Sequence, residues 1–446
     1  MRVPLLELFL TACLAAGFAA VGEVVLRRRS RGLAGGNEAM LVGMGVCAAA
    51  LFPLTLAFPH GAVVAEAVVI GAAVLYVAVG RFREPRLAGR AATSAPDPVR
   101  RGILAAVAVV ACGFVALNFR FTYSWDGFLI WATKAQLLSH SGGLTREWFA
   151  GDVYDLRHLA YPPLVALYES LLSLLRGGFD FDKLKPIFPV FYLSMLVATY
   201  AAVRAVVSAR LAAFATLLVC LVPALSTRHA AGAYADMPQA AVVAGVVAAG
   251  MSRRDDALPW LIGSLTTVKA EGMILAALAC VAVLLFWLLD SPRDVFRNAA
   301  RRWRGMAVVA IFLVLRIAYV RWIQAPDAVY GEPLSLALSR IPLVAWRCFV
   351  ELMDPRQWGL FWPAFLASLG IMLIRGDARA RCVAAATGAG LVVLMVPFLF
   401  TNWSLELHIA QAYSRLVAQL APAAATVIVL GYETVSARLT GAAVLR

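Results

Sequence analysis

The sequence predicts an all-α polytopic membrane protein with about 13 transmembrane helices, and three observations carry that expectation. Of the 446 residues, 62% are hydrophobic and mean hydropathy is +0.80, against about 45–50% apolar content in soluble domains. Apolar runs of about 18–20 residues recur along the chain, the length a helix needs to cross about 30 Å of hydrocarbon. The short alternating segments of a membrane barrel do not occur, so the spans must satisfy their backbone as helices.

Thirteen spans are read near residues 5–25, 39–58, 62–80, 102–119, 187–203, 211–225, 238–251, 257–268, 271–289, 305–323, 358–374, 382–400 and 416–433. The first is followed by Arg27-Arg28-Arg29, the reverse of the charge order of a cleaved signal peptide, so it is expected to stay as a span. The formal net charge of +14 comes from arginines concentrated in short connections at 27–31, 81–101, 253–254, 293–304 and 375–381. That distribution orients a membrane protein and is no footprint for nucleic acid. Alternation then puts residues 120–186, 226–237, 324–357 and 401–415 outside. The expected setting is the cell (inner) membrane, with the chemistry facing the periplasm or cell exterior. Seven cysteines are scattered singly, without metal or redox spacing, and read as small buried hydrophobes.

The chain divides in three. Residues 1–80 form a three-span module with little polar content beyond Glu23, Glu38 and Glu66. Residues 81–101 are a Pro/Ala/Arg-rich cytoplasmic linker without apolar period. Residues 102–435 are the core, which holds every chemically informative motif.

The core opens on the most informative of them, Tyr123-Ser-Trp125-Asp126-Gly127-Phe128, where an apolar span runs into a long polar loop. A charge kept where a span meets the outer surface is costly and usually functional. Within the loop, Phe128, Trp131, Ala135 and Leu138 fall at helical spacing around Lys134. A second stripe, Leu164, Leu167, Tyr168, Leu171, Leu172 and Leu175, is opposed by Glu169, Ser170 and Ser173. Pro162-Pro163 suits the first turn of that helix. Both are too short to span and are expected to lie in the interface as amphipathic juxtamembrane helices; a packed cap without chemistry is the plain alternative.

Three further elements fall on the same face. Asp236 stands in Tyr234-Ala-Asp236-Met-Pro238, Lys269 and Glu271 in Thr267-Val-Lys269-Ala-Glu271-Gly272, and Glu406, His408 and Arg415 precede the last span. Singly, Asp236 reads as a helix cap and Lys269–Glu271 as a neutralised pair. Jointly, these carboxylates and cations suit a site for a phosphorylated lipid.

The order Trp125-Asp126-Gly-Phe-Leu-Ile-Trp131-Ala-Thr-Lys134-Ala135, Tyr161-Pro-Pro-Leu164, Tyr234-Ala-Asp236-Met-Pro238 and Lys269-Ala-Glu271-Gly272 resembles bacterial GT-C membrane glycosyltransferases. These are relatives of the protein O-mannosyltransferases and of the lipid A aminoarabinose transferases, and the resemblance runs from about residue 100 to 435. It implies a GT-C-type helical bundle with two juxtamembrane helices in the first outer loop of the core. It implies a cavity open to the membrane and the outside, a polyprenyl-phosphate sugar donor, and inversion at the anomeric carbon. It carries Asp126 over as the catalytic aspartate of the first loop and Asp236 as the second acidic position. Gly127 departs from the family's frequent Asp-Glu, which weakens a paired-carboxylate metal site. Tyr161 stands where a histidine often precedes the two prolines, and the three leading spans are extra.

The chemistry needs a base for the acceptor proton, a role suited to Asp126, and cations for the departing phosphate. Lys134, Lys269 and Arg415 are the candidates, arginine being suited to bidentate binding; Tyr161, Glu271 and His408 complete the expected substrate-binding set. No cofactor is required. A divalent metal could replace a cation, but His158, Asp152 and Asp155 lack ligand spacing. The acceptor is expected to be an envelope lipid, glycan or protein. A transporter or flippase of lipid-linked sugars is the alternative; against it, the sequence has no matched pair of broken helices in two halves. A scaffold that has lost activity would not need both Asp126 and Asp236.

Overall fold

The computed structural model describes residues 5–83, 97–149, 158, 160–290, 303–324 and 333–440, and these fold almost entirely as helices. The linker at 84–96, Asp152, Asp155 and the basic stretch 291–302 lie outside the described residues. In chain order the main helices are α1 (Leu5–Leu26), α2 (Gly32–Ala57), α3 (Ala62–Arg83), α4 (Pro98–Arg120), α5 (Thr133–Ser141), α6 (Leu164–Arg176), α7 (Ile187–Arg204), α8 (Ala209–Cys220) and α9 (Asp236–Met251). They continue as α10 (Leu258–Leu265), α11 (Gly272–Asp290), α12 (Trp303–Ile323), α13 (Leu334–Leu352), α14 (Phe361–Arg375), α15 (Ala378–Val393), α16 (Leu405–Ala418) and α17 (Ala421–Leu439).

Among the described residues, eight helices are long and apolar enough to cross a membrane, and α16 with α17, bent by 59° at a short break, makes a ninth when taken as one span. The remaining expected spans are occupied by shorter helices: α8, α9 and α14, of 12, 16 and 15 residues, and α10, of eight. At 1.5 Å per residue, α9 is about 24 Å long and α10 about 12 Å, both short of the roughly 30 Å of hydrocarbon. Short helices bring polar connections below the membrane boundary, and the candidate site is built at such ends.

Polar ties sort the connections into two groups. At one end Arg28 pairs with Glu38 and, at 2.5 Å, with Asp256; Arg210 pairs with Asp97 at 3.2 Å, and Arg379 donates to the Met251 carbonyl at 3.0 Å. These are the connections that the arginine bias places inside. At the other end Val63 N–H binds the Gly142 carbonyl at 2.9 Å, and Leu164 N–H binds that of Thr267 at 3.2 Å.

The three N-terminal helices join the same hydrophobic core as the rest. α1 and α2 meet backbone to backbone: a Cβ on Gly22 would lie 1.9 Å from the Ala39 carbonyl oxygen, and one on Gly43 would lie 1.9 Å from that of Phe18. Small residues permit such close approach in lipid, where packing replaces the hydrophobic drive between helices. α1 then covers α6, with the Tyr168 hydroxyl on the Thr11 carbonyl at 3.2 Å and Phe18 edge-on to Tyr168.

One feature of the loop helices was not evident from their stripes. α1 and α5 enclose α6 and bury its polar side as well, with Glu169, Ser170 and Ser173. Tyr123 donates to Glu169 at 2.9 Å and Ser170 to the Ala135 carbonyl at 2.9 Å; burial pushes the Glu169 carboxyl up to about 8. A second difference is α13, a 19-residue amphipathic helix in what the sequence shows only as outer loop. Arg340 and Arg347 interrupt its apolar pattern and so hide it; they bind the Thr401 carbonyl and Glu406, respectively.

Candidate active site

After α4 the chain turns at Phe121, and helix resumes at Trp125. The Ser124 N–H and hydroxyl both reach the Gly232 carbonyl, at 3.3 and 2.6 Å, which docks this new start on the turn before α9. Gly127 is what lets it dock. A Cβ there would sit 2.6 Å from the Gly232 carbonyl oxygen and 3.1 Å from that of Ala233, where the turn passes through a left-handed residue, Ala233, at φ 54°. Residues Gly127–Ala132 are π-helical, a wider turn common at functional sites.

Docking carries Asp126 to Arg415. The Arg415 guanidinium binds Asp126 through Nη1 and Asp236 through Nε at 3.2 Å, and it lies 3.9 Å over the Tyr234 ring. The other Asp236 oxygen accepts from Lys269 Nζ and Gln419 Nε2, both at 2.8 Å. Lys269 also meets Glu271 at 3.4 Å. Burial opposes the Lys269 charge, but the Asp236 and Glu271 carboxylates outweigh it and raise its pKa. Five expected site residues, Asp126, Asp236, Lys269, Glu271 and Arg415, therefore form one connected group. Asp236 heads α9 without capping it; its hydrogen bonds go to other elements.

Exposure separates the two aspartates. The Asp236 side chain has no exposed surface, whereas that of Asp126 is 28% exposed. Asp126 is open to solvent on one side, and Asp236 is the internal anchor that holds the cations. Open hydrogen-bonding capacity surrounds the anchor: both ring nitrogens of His229, both amide atoms of Gln239, Gln419 Oε1 and Glu271 Oε2 are buried without a partner. Buried polar atoms are paired in the great majority of cases, so this group suits a polar ligand. Burial lowers the His229 pKa to about 4, which leaves a neutral ring with one donor and one acceptor at pH 7.

Three expected residues are not bonded into this group. The buried Lys134 ammonium donates to the carbonyls of Tyr161 and His158, at 2.8 and 3.4 Å, and burial, with Arg316 nearby, lowers its pKa well below the usual range. It fastens the outer loop and is turned away from solvent. Tyr161 packs between Trp131 and His158. His408 meets the Thr401 hydroxyl at 2.8 Å and packs on Phe398 and Trp403. Glu406 pairs with Arg347, while Arg415 turns to Asp126 and Asp236.

Sequence reading missed Gln419, His229 and Arg228. Gln419 could have been found as a lone polar residue entering an apolar run. Arg228 donates to the Ser414 hydroxyl at 2.7 Å and to the Gln411 carbonyl at 3.2 Å, beside Arg415 on α16, and both of its partners are uncharged. Among the described residues, no three His, Cys, Asp or Glu side chains are grouped to hold a metal.

The docking role of Gly127 gives a test. Gly127→Glu restores the acidic pair frequent in the resembled family, yet here it drives a side chain into backbone. The helix start must then move off the Gly232 turn, and a displacement of about 1 Å can cost about 10²-fold in rate. A loss of this size is expected in whatever activity the site supports; a fully active Gly127→Glu protein would show that the docking is dispensable.

No protein-family model matches the sequence, and no curated protein matches it. Among solved structures the fold is similar to that of ArnT from Cupriavidus metallidurans bound to undecaprenyl phosphate, at a TM-score of 0.50 and 16% identity, over 76% of this chain and 62% of that one. The apo state of the same protein aligns at a TM-score of 0.49 and 17% identity, over 76% and 60%. The chain thus spans about three-fifths of the length of the structures it matches. Its helical bundle has an ArnT-like fold.

Proposed function

We propose that the protein is a membrane glycosyltransferase that moves a hexosyl or pentosyl group from a polyprenyl-phosphate donor to an envelope acceptor, with inversion. The observation that carries this reading is the Arg415 clasp, which holds a part-exposed carboxylate, Asp126, against a fully buried one, Asp236. The ArnT structure with the same fold holds undecaprenyl phosphate, which supports a donor of that class.

In this reading the acceptor hydroxyl attacks the anomeric carbon, its proton passes to Asp126, and the bond from that carbon to the phosphate oxygen breaks. The leaving polyprenyl phosphate needs positive charge. Lys269 is committed to Asp236 and Glu271, so its part is to fix the anchor. Among the described residues Arg228 binds the uncharged Ser414 hydroxyl and Gln411 carbonyl, which leaves its charge, beside that of Arg415, to meet the phosphate. Lys134 shapes the loop that roofs the site. No step here uses a cofactor, and transfer is expected to persist in a chelator.

The deciding experiment uses purified protein in detergent with a labelled polyprenyl-phosphate sugar and an envelope lipid extract. Label should move to an acceptor, and the protein reconstituted in vesicles should not speed translocation of the donor. Translocation without transfer would replace this reading by the transporter alternative.

The arginine bias places the site on the outer face. In a cysteine-free background, Glu147→Cys should react with an impermeant maleimide on intact cells, and Ser252→Cys should react only after lysis. Labelling of Ser252→Cys on intact cells would invert the orientation and rule out a periplasmic acceptor.

A further inference from the structure

At the opposite end of the bundle from the carboxylates, α9, α10, α11, α12 and α15 surround a cleft of ≈ 850 Å³. That volume falls in the upper part of the range of small-molecule pockets, about 300–1,000 Å³. Its depth is apolar, formed by Val247, Leu278, Val283, Leu313, Val383 and Ala423. Its arginine-rich end carries Arg27, Arg253, Arg304 and Arg379, together with Asp255 and Asp256. Asp256 pairs with Arg28 at 2.5 Å, a guanidinium that Glu38 shares, so the four arginines still outnumber the two aspartates at this end. Arg379 is held in place by the Met251 carbonyl at 3.0 Å and the Phe286 ring. Trp260 and Trp287 also line the cleft, and tryptophan is the residue enriched where hydrocarbon meets headgroups.

This polarity describes a ligand with apolar length at one end and negative charge at the other. A soluble anion would leave the apolar depth unfilled, and a neutral lipid would leave the guanidinium groups unmatched. A zwitterionic phospholipid brings a phosphate but adds a cation beside four arginines. We propose that the cleft is a lipid site distinct from the sugar-transfer centre, and that it holds one anionic phospholipid with its acyl chains in the cleft and its phosphate on Arg304 and Arg379. A lipid seated there would touch α11, α12 and α15 together. The proposal concerns the inner end of the bundle and stands whether or not the transferase reading holds.

The test is native mass spectrometry of the delipidated full-length protein titrated with dioleoyl-phosphatidylglycerol, dioleoyl-phosphatidylcholine or undecaprenyl phosphate. One phosphatidylglycerol should be retained with at least about tenfold preference over phosphatidylcholine, since clustered basic residues favour an anionic lipid. Arg304→Ala with Arg379→Ala should lower phosphatidylglycerol retention about tenfold, and Ala282→Trp, which fills the cleft, should lower retention of every phospholipid. Asp126→Asn should leave retention unchanged. Equal retention of the two phospholipids by the wild-type protein overturns the proposal, and that comparison needs no variant to fold. So does phosphatidylglycerol retention that survives both the arginine pair and Ala282→Trp. Displacement of phosphatidylglycerol by equimolar undecaprenyl phosphate overturns it too, by making the cleft part of the donor site.

Discussion

Asp126→Asn is expected to lower sugar transfer by about 10²–10⁴-fold, the usual worth of a positioned general base, while the protein still folds, inserts and binds the lipid donor. The amide keeps the shape of the carboxylate and one oxygen that can accept from Arg415, so the clasp survives with weaker charge. It cannot take a proton from the acceptor at neutral pH. Asp236→Asn differs in kind, because that side chain has no exposed surface and its oxygens serve Lys269, Arg415 and Gln419. Its loss should show first in stability and donor affinity, since removing one partner of a buried ion pair strands the others. The measurement is turnover of a labelled polyprenyl-phosphate sugar beside donor binding and the thermal midpoint. Full turnover by Asp126→Asn would return the first outer loop to a structural cap.

Much of the bundle was legible in the sequence because lipid imposes simple demands: a span must be apolar and helical, and eight of the described helices are also long enough to cross. The same demand made the site partly legible, since Asp126, Asp236, Lys269, Glu271 and Arg415 are charges kept where charge is costly. What sequence could not supply was partner choice. Lys134 has the right type and position for a phosphate ligand, yet its ammonium turns onto the carbonyls of Tyr161 and His158. Glu406 lies nine residues from Arg415 but pairs with Arg347 on α13, a helix whose arginines hid it from a hydropathy reading. Gly127 reads as a missing carboxylate in sequence; in space it is a contact with the Gly232 carbonyl. Each of these depends on side-chain direction or on a neighbour far along the chain, and neither leaves a local periodic signal.

Arg415 carries the second large effect. Its guanidinium serves Asp126 and Asp236 from one planar fork while resting on Tyr234, a geometry that a lysine ammonium cannot copy. Arg415→Lys should therefore fall well below wild type, and Arg415→Ala further, by about 10²–10³-fold, the scale seen when one preorganised charge-stabilising donor is removed. With the clasp gone Asp126 loses its fixed position, whereas Asp236 keeps Lys269 and Gln419, so the fold should persist with a lowered thermal midpoint. The informative comparison is the double variant Asp126→Asn with Arg415→Ala. Groups that work as a unit lose activity together, so the pair should be scarcely worse than Asp126→Asn alone. Losses that add in the double variant would mean that Arg415 and Asp126 act at separate steps, with the arginine reserved for the donor phosphate. Wild-type turnover in Arg415→Ala would leave the clasp as a structural ion pair and remove the observation on which the transferase reading rests.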